Sequence, residues 1–101
     1  MSKPKMKINS VRLNVHFIKH NDGIIAYAPA LDLSTIGKTI KKAQRMIHEA
    51  VNLFLEDLID RGTLDKVLSD LGWVYRRSSW LPPQPIKEKA ISLKIPTIAY
   101  A

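Results

Sequence analysis

Between Thr39 and Gly62, apolar side chains recur at helical spacing: Ile40, Ala43, Ile47, Ala50, Val51, Phe54 and Leu58. They predict one long helix with a single apolar stripe, which Met46 and Leu53 widen. A stripe of that length must be covered by another layer. The residues before it supply one, because their periodicity is two rather than 3.6.

Val11, Leu13, Val15 and Phe17 alternate with Arg12, Asn14 and His16, the pattern of a half-buried strand. Asn21-Asp22-Gly23 is a hairpin signal, since these residues tolerate positive φ. Gly23-Ile24-Ile25-Ala26-Tyr27-Ala28 reads as a second strand, closed by Pro29, which removes a ladder donor. Residues 31–36 read as a third, ended by Gly37.

Thr39 is the expected N-cap of the long helix and Gly62 its C-terminal stop. Asp57 and Arg61 have i,i+4 spacing for an ion pair. Thr63 is expected to cap a second, shorter helix with Leu64, Val67, Leu68 and Leu71 on one side, stopped by Gly72. Trp73-Val74-Tyr75 is a fourth strand candidate, and Arg76-Arg77-Ser78-Ser79 a polar break. Leu81-Pro82-Pro83-Gln84-Pro85 is expected to be extended and stiff. Ala90–Ile95 alternates again before Pro96 and reads as a strand that needs cover from elsewhere, such as a second subunit.

The expected order is β-β-β-α-α-β. This is an α+β two-layer fold: an antiparallel sheet of three to four strands, covered on one face by the long helix. Length bounds the organisation. The chain's 101 residues suit one domain, placed at 1–75, with 76–101 as an extended tail packing on the domain or on a partner subunit. The chain has no cysteine, which excludes disulfide scaffolds, thiolate metal sites and thiol catalysis. No apolar run is long enough to span a membrane. A cytoplasmic protein without a membrane segment is expected.

Sixteen Lys and Arg against nine Asp and Glu give a net charge of +7, unevenly spread. Lys3, Lys5, Lys7, Arg12 and Lys19 lie in the first 20 residues with no acid among them. Lys38, Lys41, Lys42 and Arg45 cluster at the start of the long helix. Its second half reverses sign, with Glu49, Glu56, Asp57 and Asp60. Such segregation can steer a charged partner.

Several short patterns fall away on inspection. Gly37-Lys38-Thr39 looks like the end of a phosphate-binding loop, but the glycine required five positions earlier is Asp32. His48-Glu49 lacks a second histidine, with Asn52 in its place, and His16 and His20 do not make a metal site. Among Asp22, Asp32 and Glu49, only Asp32 lacks a simple structural explanation, so a metal-dependent ribonuclease would have to be built around it. Trp73, Tyr75, Arg76, Arg77 and Trp80 interleave aromatic and basic residues, as protein interfaces and nucleic-acid surfaces both do.

Taken together, Asp22-Gly23, Tyr27, Pro29, Leu31, Gly37, Thr39, Ala43 and Ala50, followed by Gly62-Thr63-Leu64 and Leu71-Gly72-Trp73, resemble the HicB-like antitoxin family over residues 10–75. Leu33-Ser34 stands where the family commonly has Gly-Cys, and Lys38, Lys41 and Lys42 stand where it has acids. The resemblance implies a degenerate, partial ribonuclease H-like fold with no catalytic residues, no cofactor and no metal. It also implies a HicA-like toxin, a small basic RNA-cleaving protein, as partner, and a homo-oligomer, dimer or tetramer. The partner-binding residues expected on this reading are Glu56, Asp57 and Asp60, with Trp73 or Trp80 as apolar anchor. The alternative is a nucleic-acid-binding regulator using Lys38, Lys41, Lys42, Arg45, Arg76 and Arg77.

Overall fold

The computed structural model describes residues 10–97, so Lys3, Lys5 and Lys7 lie outside the described residues. Three strands form an antiparallel sheet in the order β1 (His16–His20), β2 (Gly23–Ala28), β3 (Leu33–Gly37). Helix α1 (Ile40–Arg61) packs on one face of it, and α2 (Leu64–Asp70) follows. The chain then turns into a separate two-stranded ribbon, β4 (Val74–Arg76) and β5 (Ser79–Leu81). The expected α+β sheet-and-helix layering is present, with three strands in the main sheet.

The boundaries differ from the sequence expectation for identifiable reasons. β1 begins at His16, not Val11, because β2 is its only neighbour and that ladder starts at His16↔Tyr27. Pro29 follows directly after Ala28 and offers no donor to extend it. The alternation at Leu13 and Val15 nevertheless marks the side that turns inward, since both pack against the core. The third strand starts at Leu33 because Pro29–Leu31 forms a single 3-10 turn and Asp32 is left-handed (φ 49°). In the first hairpin the positive φ falls on Gly23 (151°) and not on Asn21 or Asp22.

Thr39 caps α1 as expected: its Oγ1 accepts from the Lys42 amide at 3.1 Å. Gly62 (φ 69°) ends the helix, with the Thr63 amide returning to the Leu58 carbonyl at 2.9 Å. That bond already ties Thr63 into the end of α1. Its hydroxyl makes no cap bond to α2, contrary to expectation.

The core has two parts. Ala26, Ala28, Ala43 and Ile47 are buried where α1 crosses the sheet, with Val15, Ile24, Leu33 and Val51 around them. The small side chains let the helix come close. At Gly37 the approach is closer still, since a Cβ there would lie 2.5 Å from the Ala43 nitrogen. The second part is Leu31, Leu68 and Trp73, joined by Leu13, Phe54, Leu55 and Trp80. The Trp73 indole N–H donates to the Ala30 carbonyl at 2.8 Å, tying the ribbon to the 3-10 turn.

The β4–β5 ribbon replaces the expected polar break. Its central residues, Arg77 (φ 51°) and Ser78 (φ 63°), both take the positive φ of a two-residue I′-type turn without a glycine. The ribbon straddles the 75/76 boundary expected between domain and tail, and Trp80 packs on the core. Beyond it, residues 82–97 contain no strand. Within the single chain the strand expected at 90–95 is not formed: Ile91, Leu93 and Ile95 are exposed and unpaired, and alternation yields a strand only where an edge is there to pair with.

Candidate interaction surface

The stripe facing inward from α1 is narrower than the sequence suggested. Ala43, Ile47 and Leu58 are buried, but Met46 (42% exposed) and Leu53 (66%) lie on its flank and face solvent. They alternate there with charged residues. Lys42, Met46, Glu49, Leu53, Glu56 and Asp60 follow one another at steps of four and three and share that outer face. All six are exposed.

Charge along this face runs against the helix dipole. Lys41 and Lys42 occupy the first turn, which contains no acid, and Arg45 follows. Glu56, Asp57 and Asp60 gather towards the last turns, where Arg61 alone is basic. A charge of the wrong sign in a terminal turn costs roughly 0.3–1 kcal/mol at low ionic strength. The pattern therefore does not serve the helix itself. Asp57 is partly neutralised by the expected pair with Arg61 at 3.0 Å. With both side chains more than half exposed, that pair contributes about 0.3–0.5 kcal/mol at most. Among the described residues, Glu56, Asp60, Lys41, Lys42 and Arg45 have no ion-pair partner within 4.0 Å.

The two aromatic candidates separate. Trp73 is 6% exposed and hydrogen-bonded inside the core, so it is withdrawn from the contact surface and assigned a structural role. Trp80 is half-buried and leans on Tyr75, with ring centroids 5.2 Å apart, and Tyr75 is exposed. An aromatic anchor on this ribbon would come from Trp80 with Tyr75.

The six cations proposed for nucleic acid also divide. Lys38, Lys41, Lys42 and Arg45 flank Ala43, in the first part of the core. Arg76 and Arg77 sit on the ribbon whose Trp80 packs against the second part, as Phe54 of α1 also does. Ala43 to Phe54 is a span of about 16 Å along α1. The two groups are attached beside different parts of the core.

Asp32 now has a structural account. It closes the 3-10 turn with its amide bonded to the Pro29 carbonyl at 3.1 Å, and its Oδ1 accepts from the Tyr27 hydroxyl at 2.9 Å. That bond, followed by a little burial and the nearby carboxylate charge, holds the Tyr27 phenol above its ordinary value of 10.0. The His16 ring meets Tyr27 edge-on, at 6.5 Å between centroids. Among the described residues no three His, Asp or Glu side chains gather closely enough to hold a metal ion.

Sequence reading missed one surface. On the face of the sheet away from α1, Ile18, Ile25 and Ile36 stand in register across β1, β2 and β3, and Ile18 and Ile36 are exposed. The adjacent pair Ile24-Ile25 was the available signal, because consecutive isoleucines in a strand make both of its faces apolar. No helix among the described residues is long and apolar enough to cross a membrane. No protein-family model, no curated protein and no solved structure matches this chain.

Proposed function

We propose that this chain is a non-catalytic interaction protein of the HicB antitoxin type, which binds and neutralises a small basic RNA-cleaving toxin. The observation that supports it is the acidic end of α1: Glu56, Asp57 and Asp60 are exposed on a chain of net charge +7, and Asp60 lies in the last turn, where the helix dipole disfavours an acid. A basic partner would return that cost. The sheet roofed by α1 would be the shortened ribonuclease H-like layer that the resemblance implies, used for docking. Inhibition would be steric, with α1 and the Trp80 ribbon covering the toxin's RNA-binding surface.

The test is co-expression of the full chain with any small basic protein encoded beside it. A stable complex is expected, and Glu56→Lys with Asp60→Lys abolishes it. A neighbour that is not captured, or a complex indifferent to those changes, removes the proposal.

A second reading has its own support in the cluster of Lys38, Lys41, Lys42 and Arg45, all exposed. A nucleic-acid-binding regulator would use this cluster on phosphates. Duplex affinity would then fall with salt at a log–log slope of about −0.9 per phosphate neutralised. Absence of binding at low salt removes this reading.

A further inference from the structure

The β4–β5 ribbon borders a cleft that neither function uses. It measures about 310 Å³ and opens between β5 and residues 10–12, with Arg12, Ser79, Trp80, Leu81 and Gln84 among its walls. Its lining includes no acid. A closed cavity of about 150 Å³ holds a benzene ring, so this cleft has room for a nucleobase. Tyr75 and Trp80 pair across the ribbon with centroids 5.2 Å apart, and Tyr75 is 58% exposed. Together they make an aromatic step from solvent into the cleft. Cations surround it. Arg76 pairs with Ser79 of the cleft wall, Arg77 takes the turn beside it, and Arg12 comes from the opposite wall. Among the described residues none of the three has an ion-pair partner within 4.0 Å. Glu88 lines an adjoining cleft that shares Arg12 and Gln84, and it limits the cationic site on that side.

We propose that this ribbon binds single-stranded nucleic acid, with bases stacked on Tyr75 and Trp80 and phosphates held by Arg12, Arg76 and Arg77. The aromatic faces select the single strand. A duplex keeps its bases stacked on one another and offers the cations only its backbone, whereas an unpaired base can leave its neighbours and lie on a ring. Arginine suits the phosphates because its planar fork donates two parallel bonds to one of them. An apolar protein contact would account for the two rings and leave the three arginines unmatched.

This site is separate from Lys38, Lys41, Lys42 and Arg45 of the α1 cluster, and it stands whether or not a toxin binds. Neutralising a toxin would also place Trp80 in a contact, so strand and toxin would compete for the ribbon. The test therefore uses the chain alone.

Fluorescence anisotropy of labelled oligouridylate and oligothymidylate of about 12 nucleotides, titrated with the full chain, tests the proposal, and a duplex of the same length is the comparison. Both single strands are expected to bind more tightly than the duplex. A preference for oligouridylate makes RNA the ligand, through its 2′-hydroxyls, and one for oligothymidylate makes it DNA. Tyr75→Leu is expected to weaken binding about 5- to 150-fold, and Tyr75→Phe, which keeps the ring, to weaken it less. Arg12→Gln with Arg76→Gln is expected to reduce the log–log salt slope by about 0.7 for each cation removed. Binding to none of the probes at low salt overturns the proposal, as does a duplex bound as tightly as the single strands. Binding that survives Tyr75→Leu and the arginine changes but is lost in Lys41→Gln with Lys42→Gln overturns it too, and assigns the contact to the α1 cluster. Should Tyr75→Leu fail to fold, the two arginine changes decide, since both positions are exposed: an unchanged salt slope refutes the site.

Discussion

Replacing Gly37 with alanine reports on the contact that joins the two layers. Gly37 ends β3 just before α1, and its φ lies outside the left-handed range, so the backbone there suits alanine. In open space the change would stabilise the protein by about 0.4–1 kcal/mol, because it restricts the unfolded chain. The structure reverses that sign. The new Cβ would lie 2.5 Å from the Ala43 nitrogen, 2.8 Å from the Ala43 Cα and 2.9 Å from the Lys42 carbonyl carbon. All three are backbone atoms of the first turns of α1 and cannot rotate away. Overpacking costs about 1–3 kcal/mol, and immovable neighbours place this case at the upper end. For a domain of this size that is a fall in Tm of about 12–24 °C. Gly62→Ala is the comparison. Nothing lies within 4 Å of its Cβ, but φ is 69°, so it pays only the conformational cost, about 1–2 kcal/mol. Thermal melts followed by circular dichroism measure both. A Gly37→Ala protein as stable as wild type, or more stable, would refute the close seating of α1 on the sheet.

Other substitutions probe the remaining joints. Thr39→Ala removes the cap bond to the Lys42 amide and is expected to cost about 1 kcal/mol, whereas Thr63→Ala loses no cap bond and is expected to cost much less in the same urea titration. Trp73→Phe leaves the Ala30 carbonyl without its indole donor, an expected loss of about 1–3 kcal/mol by denaturant midpoint. In a Tyr75→Phe, Tyr100→Phe background, the absorbance titration of Tyr27 is expected above pH 10.0, and Asp32→Asn is expected to lower it. The sign follows from the bond: the fold favours the protonated phenol, so its contribution to stability is complete below the ordinary phenol value and is lost as pH rises through the folded one. No change on Asp32→Asn would show that the bond does not hold in solution.

The long helix was legible because local chemistry and tertiary need agree there: Thr39, Gly62 and the inward stripe all mark the same segment. Its outer face was not. Met46 and Leu53 lie close enough to the stripe in sequence to be read as part of it, and only the seating of Ala43 and Ile47 on the sheet fixes which side is wet. The β4–β5 ribbon was hidden because its turn uses Arg77 and Ser78 where hairpin chemistry favours asparagine and glycine. Trp73 looked like a contact residue because tryptophan is common at interfaces. Its bond to Ala30 depends on a partner 43 residues away in sequence, which no local pattern announces. Glu56, Asp57 and Asp60 are exposed, as their charge alone suggests, since acids are seldom buried unpaired.

RNA cleavage by any small basic protein found encoded beside this chain, assayed with an equimolar amount of the chain, tests the central claim most directly. Wild type is expected to stop the cleavage, and a chain carrying Glu56→Lys, Asp57→Lys and Asp60→Lys is expected to leave it running. Cleavage unaffected by wild type, or blocked equally by the charge-reversed chain, would contradict a docking role for the acidic end of α1.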